Sequence, residues 1–383
     1  MSTGVYIHIP YCPAICPYCD FNVAVRKAVD WDGFVHAVST ELDARAALFP
    51  RMLQSIYFGG GTPSLAPPEV IGALADKVRS LFVGIPREVT LEANPGTVSL
   101  ESLRGYREAG VTRLSLGWQS THDHLLKLLG RTHSAAESAQ AAVTARLADF
   151  DNLSVDLIFA VPGQTLVELE ADLDAVLALA PEHVSLYGLT YHENTPFWRS
   201  RALGNITPVD DAVEAAMFER ISERLVAAGY AHYEISNFAR SGHEALHNAS
   251  YWNGTPYLGA GPGAHSFMRD GWNRGWRWET LRNPDRYIAS MAQPRIGRPS
   301  PGDAHVTFVE ELTRIELARE RVLTGLRLEA GIDVTVEPFT GQALENGIAY
   351  AVAQGLATFD GRLLVPTAAG RLRADDLAVL VAP

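Results

Sequence analysis

A chain of 383 residues, near half apolar and one fifth charged, has ample material for a large core and reads as one large domain plus a smaller one. Its formal charge of −12 argues against a general nucleic-acid binder, and no segment has the length and apolarity of a membrane span. All the cysteines are Cys12, Cys16 and Cys19; clustered this way in a chain with no expected signal peptide, they read as ligands rather than disulfide partners, and the expected compartment is the cytoplasm.

Short β-branched runs alternate with amphipathic stretches along the first half. Val5–Ile9 is the first expected strand and leads straight into the cysteine loop. A helix follows over about 31–48, with Phe34, Val35, Val38 and Leu42 on one face. The second strand, Ile56-Tyr57-Phe58, ends in Gly59-Gly60-Gly61-Thr62-Pro63. A helix near 68–81, a strand over 88–95, a helix near 100–109 stopped by Gly110 and a strand over 113–117 come next. A helix over about 134–149, a strand over 153–159, a helix over 166–179 and a strand over 184–190 complete the series. Six strand–helix units imply parallel strands with right-handed crossovers, and polar and glycine-rich residues gather at the strands' C-terminal ends, where a (β/α) barrel places its site. Six units rather than eight point to a partial, open barrel, although a doubly wound sheet gives the same local pattern.

Beyond this series a helix is expected over about 207–229. Then comes an aromatic, polar stretch, expected as loop, that carries His247-Asn248-Ala249-Ser250-Tyr251-Trp252 and Gly259–Ser266. Residues 293–303, rich in Pro, Gly and Arg, read as a linker. Helical sequence is expected over 309–324, and Asp360-Gly361 marks a hairpin. The expected division is 1–292 for the partial barrel with its extension and 303–383 for a small winged-helix-like α+β domain, read as a structural cap rather than a nucleic-acid binder.

The cysteine loop admits three competing readings from its residues. Zinc needs four ligands, and here only His8 could complete the set. A redox dithiol would use Cys16 and Cys19 and leave Cys12 unexplained. An iron–sulfur cluster uses all three thiolates and leaves one iron open to an outside ligand, with Pro13 and Pro17 stiffening the loop.

The spacing C-x₃-C-x-Tyr-C after the first strand of a (β/α) series resembles the radical S-adenosylmethionine (SAM) superfamily. That resemblance implies a [4Fe-4S] cluster on Cys12, Cys16 and Cys19, whose open iron chelates the methionine part of SAM and whose electron splits the sulfonium to give a 5′-deoxyadenosyl radical. It implies that Tyr18 packs beside the adenine, and that the turn Gly59, Gly60, Gly61 and Thr62 meets the methionine amino group.

The resemblance narrows. Tyr-Ile-His-Ile-Pro-Tyr-Cys, Phe-Gly-Gly-Gly-Thr-Pro-Ser, Glu-Ala-Asn-Pro, Leu-Gly-Arg-Thr-His, Asp-Leu-Ile-Phe-Ala-Val-Pro-Gly-Gln-Thr and Gly-Ala-Gly-Pro-Gly-Ala-His-Ser resemble the oxygen-independent coproporphyrinogen III oxidase group over nearly the full chain. By matching motif, Tyr6, Glu92, Gln119, Arg131 and Asp156 are implied to line the SAM site. The decarboxylating oxidase carries a further cysteine two residues past the third ligand and a longer segment before its cysteines. This chain has Phe21 at that position, and with His247-Asn248-x-x-Tyr251-Trp252 it resembles instead the HemW branch, the haem chaperones. That branch implies haem as cargo, contacted by His247, Tyr251 and Trp252, with apo-haemoproteins as recipients. A homodimer and peripheral membrane contact through a recipient follow from the same resemblance.

Overall fold

The structure, a computed structural model, describes residues 1–339 and 344–382. Among them a single large sheet carries the polar site, and its strands in chain order are β1 (Ser2–Ile9), β2 (Met52–Gly60), β3 (Glu88–Ala93), β4 (Arg113–Gln119), β5 (Leu153–Phe159), β6 (His183–Gly188), β7 (Ala231–Glu234), β8 (Asn237–Ala239), β9 (Tyr257–Ala260), β10 (His265–Asp270), β11 (Arg274–Thr280) and β12 (Val306–Thr313). The sheet order is β12-β11-β10-β9-β1-β2-β3-β4-β5-β6-β8-β7. Strands β1 to β6 run parallel in sequence order, as their helical crossovers require. The expected α/β barrel-like fold is therefore present.

Several elements differ from the expectation. Tyr257–Ala260, read as loop, is a seventh parallel strand on the free edge of β1. Its shortness and its central Gly259 hide it from a propensity reading. Glycine is required at 259, because a Cβ there would run into the His265 carbonyl. The sequence 309–313 is not helix but the end of β12, which pairs with β11; the helix begins only at Arg314, after the Thr313–Glu316 capping box. The motif around His247 lies on a helix, Leu246–Asn253, rather than a loop. Short helices at Asp123–Leu128, Pro196–Ala202 and Pro284–Ser290 were below the length that periodicity detects.

Strand alternation builds the interior. Val5, Ile7 and Ile9 of β1 face the helices and are fully buried in the main apolar cluster with Ile56, Phe58, Leu91, Leu114 and Leu116. Their alternate neighbours face the hollow of the sheet, and these are polar: Tyr6, Tyr57, Glu88, Thr90, Glu92, Arg113, Ser115, Asp156 and Ser185. Register sets them side by side, Tyr6 on Tyr57, Glu92 on Ser115 and Asp156 on Ser185.

Residues after Thr313 enclose their own apolar cluster, including Val322, Leu326, Ile348, Leu364 and Leu377. Ala357–Phe359 and Leu363–Pro366 form the expected hairpin, with Asp360 accepting from the N–H groups of Arg362 and Leu363, and Ile332–Asp333 adds a third strand. Among the described residues no helix is long and apolar enough to cross a membrane.

Candidate functional site

A cavity of about 390 Å³ opens at the C-terminal end of the parallel strands and is lined by Cys12, Cys16 and Cys19 together with Tyr18, Gly60, Gly61, Thr62, Glu92, Gln119, Arg131 and Asp156. Two loops meet at its mouth. The Gly61 N–H donates to the Ile9 carbonyl and the Thr62 N–H to the Tyr11 carbonyl, both at 2.8 Å. A Cβ at Gly61 would sit 2.7 Å from the Pro10 carbonyl carbon and the Tyr11 oxygen, so only glycine lets the turn approach the cysteine loop this closely. Gly60 has φ +113°, and a Cβ there would lie 2.5 Å from the His8 ring. The Thr62 hydroxyl is 3.4 Å from Cys12 Sγ and accepts from Asn94 Nδ2 at 2.9 Å.

Arg131 ties the loop to the sheet. Its guanidinium donates to Asn94 Oδ1, to the Gly117 carbonyl at 3.2 Å and to the Tyr18 hydroxyl at 3.5 Å, and lies 3.8 Å from Cys16 Sγ. The Phe197 N–H donates to the Pro17 carbonyl at 2.9 Å from the start of a short helix. Gln119 ends β4 in a left-handed conformation, φ +72°, a strain typical of residues aimed at a ligand.

The carboxylates are half-buried in the cavity wall. Glu92 accepts from Tyr57 Oη at 2.7 Å and from the Gly60 N–H at 3.1 Å, yet burial, the largest effect, pushes its pKa up to about 7. Burial also raises Asp156, against hydrogen bonds from Ser115 and Ser154. Burial raises the Cys12 thiol and pushes Cys19 up to about 11. Thiols held this way deprotonate on binding a cation, the behaviour expected of metal ligands.

This donor set fits a polynuclear cluster. Three thiols from one loop share a cavity wall, and a cube takes one thiolate at each of three corners with the fourth iron left open. His8 does not complete a zinc set. Its Nε2–H donates to the Asn22 carbonyl at 2.8 Å, which leaves Nδ1 to accept from Tyr6 Oη at 3.0 Å. Tyr6 thus sits below the cavity, holding His8, and does not line it.

Residues 6–176 match the Radical SAM superfamily. A relative from Mycobacterium tuberculosis, named heme chaperone HemW, is 38% identical over 377 residues, covering 97% of this chain and 93% of its own length. One of the same name from Bacillus subtilis is 36% identical over 332 residues, covering 86% and 84%. The chain belongs to the HemW family. The solved radical-SAM coproporphyrinogen III oxidase HemN of Escherichia coli shares its fold, with a TM-score of 0.80, 22% identity and coverage of 100% of this chain and 90% of that one.

The HemW-type residues His247, Tyr251 and Trp252 lie apart from the cysteines. The helix Leu246–Asn253 sits at the opposite, N-terminal mouth of the strands, where its Leu246 and His247 N–H groups donate to the Glu88 carboxylate at 2.8 and 3.2 Å. His247 is 0% exposed. Its Nδ1 meets Ser55 Oγ at 3.0 Å and its Nε2 meets Tyr251 Oη at 2.9 Å, and its ring stacks on Tyr57 with centroids 5.1 Å apart. Burial drives its pKa down to about 3, so it is neutral. Both nitrogens are engaged and it lines neither described cavity, so the expectation that His247 contacts haem does not match this placement. The cause is the unread helix, which turns His247 toward the floor of the sheet. Tyr251 and Trp252 instead line a second cavity of about 270 Å³.

Asn94, Arg113, Tyr187 and His192 also line the main cavity, and sequence reasoning passed over them. Arg113 is the clearest omission. It is buried, and its Nε and Nη1 have no partner. The signal was present: Arg113, Ser115, Gly117 and Gln119 alternate with Leu114, Leu116 and Trp118, an inward polar face on a strand whose other face is core.

Proposed function

We propose that this chain is a haem chaperone built around a radical-SAM cofactor site. It holds a [4Fe-4S] cluster and SAM, binds haem as cargo and passes it to apo-haemoproteins. The observation that carries the reading is near-full-length similarity to relatives named heme chaperone HemW. Phe21 supports it: the side chain stands 64% exposed at the cavity rim, where the resemblance places an extra cysteine in the oxidase.

In this reading Cys12, Cys16 and Cys19 hold the cluster. When bound, a reduced cluster would supply one electron to the sulfonium of SAM and so a route to radical chemistry. The protein's own residues position and shield. The Gly59–Thr62 turn brings backbone polar groups close to the methionine end, Glu92, Gln119 and Asp156 offer oxygens and an amide to hydroxyl and amino groups, and Arg131 fixes the loop that carries Tyr18. Tyr251 and Trp252 are the proposed haem contacts. We further read residues 1–292 with β12 as the cofactor-bearing unit, and the helices and hairpin after Thr313 as a small second unit.

Anaerobic incubation of the reconstituted protein with coproporphyrinogen III, SAM and a reductant tests the reading. The expected result is no protoporphyrinogen; its formation with release of carbon dioxide sinks the chaperone as the main role.

A further inference from the structure

The second cavity lies between the helix Leu246–Asn253, strands β10 and β11 and the helix Arg314–Gly325. Its walls are aromatic, from Tyr251, Trp252, Tyr257, Phe267 and Trp272. Its charges are unusual for a chain of net −12. Arg321 lines it and donates to the Trp252 carbonyl at 2.8 Å, and no carboxylate pairs with it among the described residues. A Cβ at Gly325 would collide with its guanidinium, so the helix carries a glycine where the arginine folds back. Burial, and then the nearby Arg269, lower its pKa to about 10.

Arg269 also lacks a carboxylate partner among the described residues. It stacks on Trp272 at 3.8 Å and donates to the carbonyls of Gly254 and Gly271, both at 2.8 Å. Arg327 lies 5.0 Å over the Trp252 ring, and the Trp252 indole N–H is buried with no partner. Arg277 lines the cavity too, but Glu320 at 2.5 Å neutralises it. A half-buried guanidinium with no carboxylate partner among the described residues, beside an unused indole donor and among aromatic faces, is a cost to the free protein that a carboxylate carried on a flat aromatic ring would offset.

We propose that this cavity receives the carboxylate-bearing edge of the planar cargo, with Arg321 pairing a propionate and Trp252 and Tyr251 against the ring. This rests on the haem-chaperone reading and assigns its cargo site. A haem macrocycle exceeds about 270 Å³, so it enters by one edge and leaves the remainder to a recipient. Its orientation is set by the carboxylates rather than by His247.

The test is a titration of wild type, Arg321→Gln and Arg321→Lys with haem, and with protoporphyrin IX and its dimethyl ester as paired probes. Tryptophan fluorescence reads binding, and circular dichroism and iron content confirm the fold. Wild type should prefer the diacid over the ester about 10-fold or more, the scale of one charge-assisted pair. Arg321→Gln should lose that preference through weaker diacid binding with unchanged ester binding, and Arg321→Lys should restore part of it. Equal affinity of wild type for diacid and ester, or an undiminished preference in folded Arg321→Gln, overturns this site while haem binding by wild type keeps the chaperone reading. Failure of wild type to bind haem at all overturns both.

Discussion

Replacing His247 by alanine separates a structural role from a haem-ligand role. The substitution removes a fully buried ring and strands two hydroxyls, Ser55 Oγ and Tyr251 Oη, that now meet its nitrogens. Each polar group left unsatisfied costs ~1–3 kcal/mol, and the emptied volume adds to it, so the expected loss is about 3–5 kcal/mol of folding stability. The pH dependence gives a second readout. The His247 pKa falls from an ordinary 6.5 to about 3 on folding, by burial. Between those values the unfolded chain binds the extra proton, so this residue's contribution is complete above pH ~6.5 and is lost as pH falls toward ~3. Urea unfolding of wild type and His247→Ala, from pH 7.5 to 4.5, should show the stability gap narrowing as pH falls. Haem titration on the same samples, at a pH where the variant is folded, should show binding retained. Undiminished stability with abolished haem binding would refute the placement of His247 as a floor residue.

Cys16→Ser, like Cys12→Ser or Cys19→Ser, should prevent anaerobic reconstitution of four irons and four sulfides per chain; normal iron content in any of them contradicts a three-thiolate cluster. Gly60→Ala puts a Cβ into the His8 ring at a positive φ, and should cost about 2–4 kcal/mol in a denaturant melt, with a fall in cluster yield because His8 anchors Asn22 just past the cysteines. Phe21→Cys should leave iron content unchanged and produce no coproporphyrinogen decarboxylation, measured by product chromatography.

The parallel half of the sheet and the place of the cysteine loop at its mouth were legible because their signals are local. Val5–Ile9, Ile56–Phe58 and Leu153–Phe159 are β-branched runs, and helices such as Pro68–Leu81 and Leu166–Leu179 are long enough to show their period. The three cysteines stand within eight residues of one another, which marks the loop without naming its ligand. What was hidden depends on pairing partners far along the chain. Tyr257–Ala260 is a strand only because β1 offers it a free edge. His247 looked available because its two partners, Ser55 and Tyr251, stand 192 and 4 residues away, and nothing local to a His-Asn pair reveals the first. Arg321 was unreadable for the same reason: its importance comes from the absence of a carboxylate across three elements among the described residues.

The central claim is that cargo and cluster reside on one chain as separate sites. Haem stoichiometry on the anaerobically reconstituted protein, measured beside iron and sulfide content, tests it most directly. One haem per chain, in addition to four irons and four sulfides and unaffected by Cys16→Ser, is the predicted result. No haem at saturation, or haem binding that disappears with the cysteines, would contradict it.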